Sequence, residues 1–160
     1  MLDVAKARGT EPIPSDYLIN VDDLVNCSKR EHLSILADDV VLIRTGKGAF
    51  WNDETNYLEY PGLGPDAVMW LAEKRIFALG VDAISPDHPE HGTDPTDTEE
   101  TRIAHRELLI NRGIYIMENV ALEDIAEDKC YSFLFVALPL KFVGSTGSPL
   151  RPIAIVPSDQ

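Results

Sequence analysis

The chain has 160 residues, 44% of them apolar, which is enough for one domain with a core of its own. Its 14 Lys and Arg stand against 27 Asp and Glu, a net charge of −13, and that balance argues against a protein that tracks nucleic-acid phosphates or lies on an anionic membrane surface. No apolar run approaches the ~18 residues of a membrane span, Met1 to Lys6 carry no signal pattern, and the default compartment is the cytoplasm.

Leu2 to Ala5 form the first predicted strand, followed by a loop with Pro12 and Pro14. Asn20 can cap a helix from Val21 to about Leu36, with Asp22 and Asp23 in the first turn where the helix dipole favours acids. Asp39 to Arg44, β-branched and almost wholly apolar, predict an interior strand. An aromatic, Gly-containing loop covers residues 50–64. Pro65 suits the first position of a helix reaching Lys74, and Ile76 to Asp82 form the next strand. Residues 85–101 form a polar loop, and from Asp82 to Glu100 there are seven acids and no Lys or Arg. Thr98 or Thr101 starts a helix that carries His105 and stops at Gly113. Ile114 to Val120 predict a fourth strand, residues 122–125 a short turn, and Tyr131 to Phe142 and Leu150 to Val156 two more strands. Helices and strands alternate in the middle and strands follow one another at the end, which is an α/β or mixed sheet.

His105 and Glu118 are the residues most out of place. The histidine shares a helix face with Leu108 and Leu109, and one hydrogen bond at the edge of a core would also explain it. The glutamate lies in the apolar stretch Ile114 to Val120, where a bare charge is costly. An ion pair with Arg44 or Arg151 would satisfy it, and so would a metal shared with the imidazole. His88 to Asp94 look like a metal cluster but read better as a solvated acidic loop or a lid. Ser85 and Asp87 follow a strand directly, where α/β sheets often place functional groups. Cys27 and Cys130 suggest two structural thiols. There is no Gly-rich phosphate loop before a helix and no G-x-S-x-G elbow.

Five segments taken together resemble the cyclase family of metal-dependent hydrolases, which includes bacterial kynurenine formamidases and isatin hydrolases. They are Asp39 to Gly46, Tyr60-Pro61-Gly62, Gly80 to Asp87, His105 with Glu118-Asn119, and Gly147 to Ala154. The resemblance runs from Leu2 to Val156. It implies a swivelling β/β/α domain, here a single domain over 1–160, and hydrolysis of amide or lactam-type bonds with zinc or manganese. It implies His105 and Glu118 as metal ligands and Ser85 or Asp87 as lining of the substrate pocket. The family's His-x-x-x-His-x-Asp-x-x-x-His signature, which supplies most ligands and a catalytic histidine, has no counterpart in this sequence.

The chain is therefore expected to correspond to the C-terminal two-thirds of a family member, incomplete by itself. Its expected partners are a small-molecule substrate and either further copies of itself or a complementary N-terminal chain. With two ligands it should bind a divalent metal weakly and hydrolyse little. The contrasting expectation is a non-catalytic family member with a structural or regulatory, oligomerising role.

Overall fold

A computed structural model describes residues 1–88 and 102–157. Its centre is a four-stranded parallel sheet. The strands β1 (Leu2–Asp3), β3 (Val40–Arg44), β5 (Ala78–Val81) and β6 (Tyr115–Met117) lie in the order β1-β3-β5-β6. A short parallel pair, β2 (Leu18–Ile19) with β4 (Gly62–Leu63), flanks it, and β7 (Leu134–Pro139) with β8 (Leu150–Ile155) form an antiparallel hairpin.

Alternation along the strands separates two cores. Val41 and Ile43 of β3 and Leu79 and Val81 of β5 face a core shared with the helices α1 (Val4–Arg8), α2 (Val21–Arg30) and α4 (Pro65–Lys74) and with Leu108. Leu42 and Ala78 point the other way. They join Met117, Val120, Leu122 and Ala126 in a second core on which Phe135, Ala137 and Leu150 of the hairpin pack. The result is a helical layer, a parallel sheet and a hairpin layer, the mixed α/β architecture the sequence predicts. Among the described residues no helix is long and apolar enough to cross a membrane.

Several boundaries depart from expectation for local reasons. The first strand has only two residues, because the Asp3 side chain accepts from the Lys6 N–H and turns the chain into α1. α2 has the expected Asn20–Asp23 capping box but ends at Arg30 rather than Leu36. His32 there has φ 54°, which breaks the helix. Residues 50–64 are not a plain loop: they contain α3 (Glu54–Leu58) and β4.

The predicted strand Ile114 to Val120 needs the largest correction. β6 stops at Met117 and lies at the edge of the sheet, with Tyr115 58% exposed. Its apolar outer residue is partly covered by Phe77, whose ring centre is 5.4 Å away. Glu118 therefore follows the strand instead of sitting within it, and its side chain keeps 34% of its exposure. Asn119, at φ 59°, turns the chain away from the sheet.

Candidate functional site

All four parallel strands point their carboxyl ends in one direction, and polar residues gather there. Asp3 ends β1, Arg44 ends β3, Ser85 and Asp87 follow β5, and Glu118 follows β6. This is where open α/β sheets bind ligands, since the loops diverge there.

Asp87 organises the site. It is 4% exposed, and one carboxylate oxygen accepts the Ala104 N–H at 2.6 Å. The other lies 2.6 Å from His105 Nδ1 and 3.4 Å from the His105 N–H. A single buried carboxylate thus caps the helical turn and sets the ring. Residues His105–Ile110 are wound as a π-helix, a widened turn that is often found at functional positions. With Nδ1–H donating to Asp87, the lone pair on His105 Nε2 faces outward, 3.7 Å from Glu118 Oε1.

The charges are interdependent. The hydrogen bond to Asp87 raises the His105 pKa; burial opposes this, while the Asp87 and Glu118 charges reinforce it. Burial raises the Glu118 pKa, and His105 and the Ser85 hydroxyl hold the carboxylate partly back toward its ordinary value. Ser85 Oγ also accepts the Asp87 N–H at 3.1 Å. The four residues singled out from the sequence, Ser85, Asp87, His105 and Glu118, are one connected cluster. The expected ion pairs of Glu118 are not made. Arg44 instead contacts Asp3, Glu11 and Glu123 at 2.9, 3.4 and 3.3 Å, and Arg151 is an exposed residue of β8.

Tyr60 and Asn119 enter the sequence reading only as parts of the resemblance, and Tyr57 not at all; the structure gives each a place beside Glu118. The Tyr57 hydroxyl donates to Asn119 Oδ1 at 2.6 Å and braces the turn that presents Glu118. Burial first, then the carboxylates of Asp82, Glu118 and Glu123, raise the Tyr57 pKa to about 12, so it remains a donor. Burial followed by Glu118 and Asp87 likewise raises Tyr60. Trp51 meets Tyr57 edge-on, 5.3 Å between ring centres, as an aromatic rim. An Asn in the left-handed region directly after an acid is the sequence signal that could have located this turn.

Asp82 forms the floor beside the cluster. Its buried carboxylate accepts from the Thr45 N–H, the Thr45 hydroxyl and the Gly46 N–H at 2.8, 2.7 and 2.8 Å. His88 is buried, not part of a solvated loop, and a Cβ at Gly62 would collide with its backbone. The rest of the suggested His88–Asp94 cluster, the lid and the start of the next helix fall on residues 89–101, outside the described residues.

Two donors 3.7 Å apart are suitably spaced to share one cation, and a carboxylate behind the histidine is the usual outer support of such a ligand. Among the described residues no third His, Cys, Asp or Glu completes a group. The residues fit two positions of a metal site.

The model of the family described as "Putative cyclase" matches residues 1–88, more than half of the chain. The chain belongs to the cyclase family. A kynurenine formamidase of Bacillus cereus is 30% identical over 138 residues, covering 85% of this chain. The crystal structure of an isatin hydrolase bound to the product analogue thioisatinate superposes on 98% of the chain with TM-score 0.79 and 28% identity. A structure described as a potential metal-dependent hydrolase with cyclase activity covers 88% of the chain with TM-score 0.61 and 26% identity. The chain spans 59%, 58% and 59% of these three proteins respectively.

Proposed function

We propose that the chain supplies part of the metal site of a hydrolase that cleaves amide or lactam-type C–N bonds in small molecules. The observation that carries this is the Asp87–His105–Glu118 alignment at the carboxyl end of the sheet, in a member of a family whose similar proteins are a formamidase and an isatin hydrolase.

His105 Nε2 and Glu118 would hold the cation, zinc or manganese. When bound, it would act as a Lewis acid toward water and the substrate carbonyl. Asp87 keeps the imidazole in the Nδ1–H tautomer, leaving Nε2 free to donate its lone pair. Ser85 limits rotation of the Glu118 carboxylate by donating to it. Tyr57 holds Asn119, and through the backbone the position of Glu118. The side of the site bearing Trp51, Tyr57 and Tyr60 suits a flat, aromatic substrate of the class named in the relatives.

Two donors leave most of a cation's coordination to water, so weak binding and slow turnover are expected of this chain alone. The same observation supports a second reading, a family member retained as a binding or assembling protein without turnover. Calorimetric titration with Zn²⁺ and Mn²⁺, together with assays on the formamide of kynurenine and on isatin, separates the two. Binding lost in His105→Ala and in Glu118→Ala supports the ligand assignment. Binding unaffected by both substitutions overturns it. Metal-dependent hydrolysis by the wild-type chain removes the non-catalytic reading.

A further inference from the structure

We infer that Arg102 and the Tyr60 hydroxyl form an anion-recognition corner of the site, which selects aromatic substrates that carry a carboxylate. This rests on the reading of the Asp87–His105–Glu118 cluster as a hydrolase site and narrows its substrate class. The placement of the two residues carries it. The Arg102 carbonyl accepts the Arg106 N–H at 2.9 Å, so Arg102 belongs to the turn that Asp87 caps through the Ala104 and His105 N–H groups. His105 follows Arg102 by three residues, the spacing that puts two side chains on one helix face. Tyr60 arrives from a different segment. A Cβ on Gly62 would collide with the His88 backbone, and the Leu63 N–H donates to the Pro86 carbonyl at 2.8 Å. Tyr60-Pro61-Gly62 is thereby held against the stretch that carries Ser85 and Asp87, and Tyr60 is 9% exposed.

The electrostatics agree with this placement. Burial, then Glu118 and Asp87, raise the Tyr60 pKa, and Arg102 opposes them. The hydrogen bond to Asp87 raises the His105 pKa, and Arg102 opposes that as well. One guanidinium thus acts on both rings, and the phenol keeps its proton as a donor. Two further cations of this end of the sheet are committed to the fold. Arg44 is held by Asp3, Glu11 and Glu123, and Lys47, 6% exposed, donates to the Asn56 carbonyl at 3.2 Å. Arg102 is exposed. Its planar fork has five N–H donors, so an acceptor already held leaves others for a ligand, and two parallel ones match the two oxygens of a carboxylate. Asp82, Asp87 and Glu118 make the rest of the site acidic, so an anionic group is accepted only at the Arg102 corner. The ring of such a substrate suits the rim of Trp51 and Tyr57.

Calorimetry on the full chain in EDTA tests this without a metal, with benzoate and its neutral counterpart benzamide as probes at low ionic strength. The wild type should bind benzoate about tenfold or more tightly than benzamide, as a charge-assisted bidentate contact provides. Arg102→Gln should bring that ratio to about one, and Arg102→Lys should keep part of it. Tyr60→Phe should lower it by about threefold, the loss of one hydrogen bond. Benzoate should shift the amide resonances of Ala104 and His105. Arg102 lies on the surface, so its variants keep the fold and decide the matter even if Tyr60→Phe does not fold. Equal binding of the two probes by the wild type overturns the inference, and so does a ratio unchanged in Arg102→Gln. Resonance shifts that spare Ala104 and His105 overturn it too, as does no benzoate binding at about 50 mM, far above the millimolar affinity expected of so small a ligand. The Zn²⁺ and Mn²⁺ titrations test the metal assignment separately, so either can fail while the other stands.

Discussion

The carboxyl end of the parallel sheet and the outer face of the hairpin reverse the usual placement of residues. At the sheet end, charged groups are inside: Asp3, Arg44, Asp82 and Asp87 are all nearly inaccessible. At the hairpin, large aliphatic residues are outside. The first region is held by short hydrogen bonds and ion pairs among its polar groups, with Asp3 Oδ2 the exception that finds no hydrogen-bond partner among the described residues. Among the described residues nothing covers the second. Buried charge thus marks where the fold is locked, and the aliphatic face marks where the described residues leave apolar surface uncovered.

Substitutions can test that contrast, and the largest effect should come from Arg44→Met. It leaves Asp3, which is fully buried, without its cation at 2.9 Å. A loss of about 3–5 kcal/mol is expected in denaturant titrations. A loss under about 1 kcal/mol would show that the sheet end is not locked by charge. Asp82→Asn should cost about 2–4 kcal/mol, because its amide N–H₂ would face the Gly46 N–H or the Thr45 N–H in place of an acceptor.

The same residue governs a pH dependence. Burial raises the Asp82 pKa from 3.8 to about 6, even though the Thr45 and Gly46 donors favour its charge. A folded-state pKa above the unfolded one means the native protein binds the extra proton. The associated stability is therefore complete below about pH 4 and lost as the pH rises through about 6. The amount is on the order of 2–3 kcal/mol. Unfolding followed between pH 4 and 7 should show this downward trend, and Asp82→Asn should flatten it. An unchanged slope in the variant would assign the trend to another group.

Smaller changes refine the comparison. Tyr57→Phe removes one neutral hydrogen bond, to Asn119, and should cost about 1 kcal/mol. Leu138→Ser, on the open hairpin face, should alter stability by less than about 0.5 kcal/mol, because the side chain is 75% exposed. A large loss in the monomer would show that this face is already covered within the chain.

Some of this was legible in the sequence. The Asn20 cap and the first-turn acids announce α2, Pro65 announces α4, and the β-branched run before Gly46 announces β3, because caps and apolar runs act over a few residues. The short pair β2–β4 was not legible, since two residues carry no periodicity. Nor was the edge position of β6, because an apolar run looks alike whether helices cover it or a single Phe77 ring does. For that reason the half-open setting of Glu118 is not visible in the sequence.

The sequence by itself determined the kinds of element, the family resemblance, and the four residues Ser85, Asp87, His105 and Glu118 that differ chemically from their surroundings. Only the tertiary structure decided that Asp87 bonds the His105 ring, that Arg44 serves Asp3, Glu11 and Glu123 rather than Glu118, and that one face of the hairpin is left open among the described residues. Those are matters of which groups lie within about 3–4 Å of one another, the range over which hydrogen bonds and desolvated charges act. Parallel pairing of strands far apart in the chain sets such distances, and no local pattern records them.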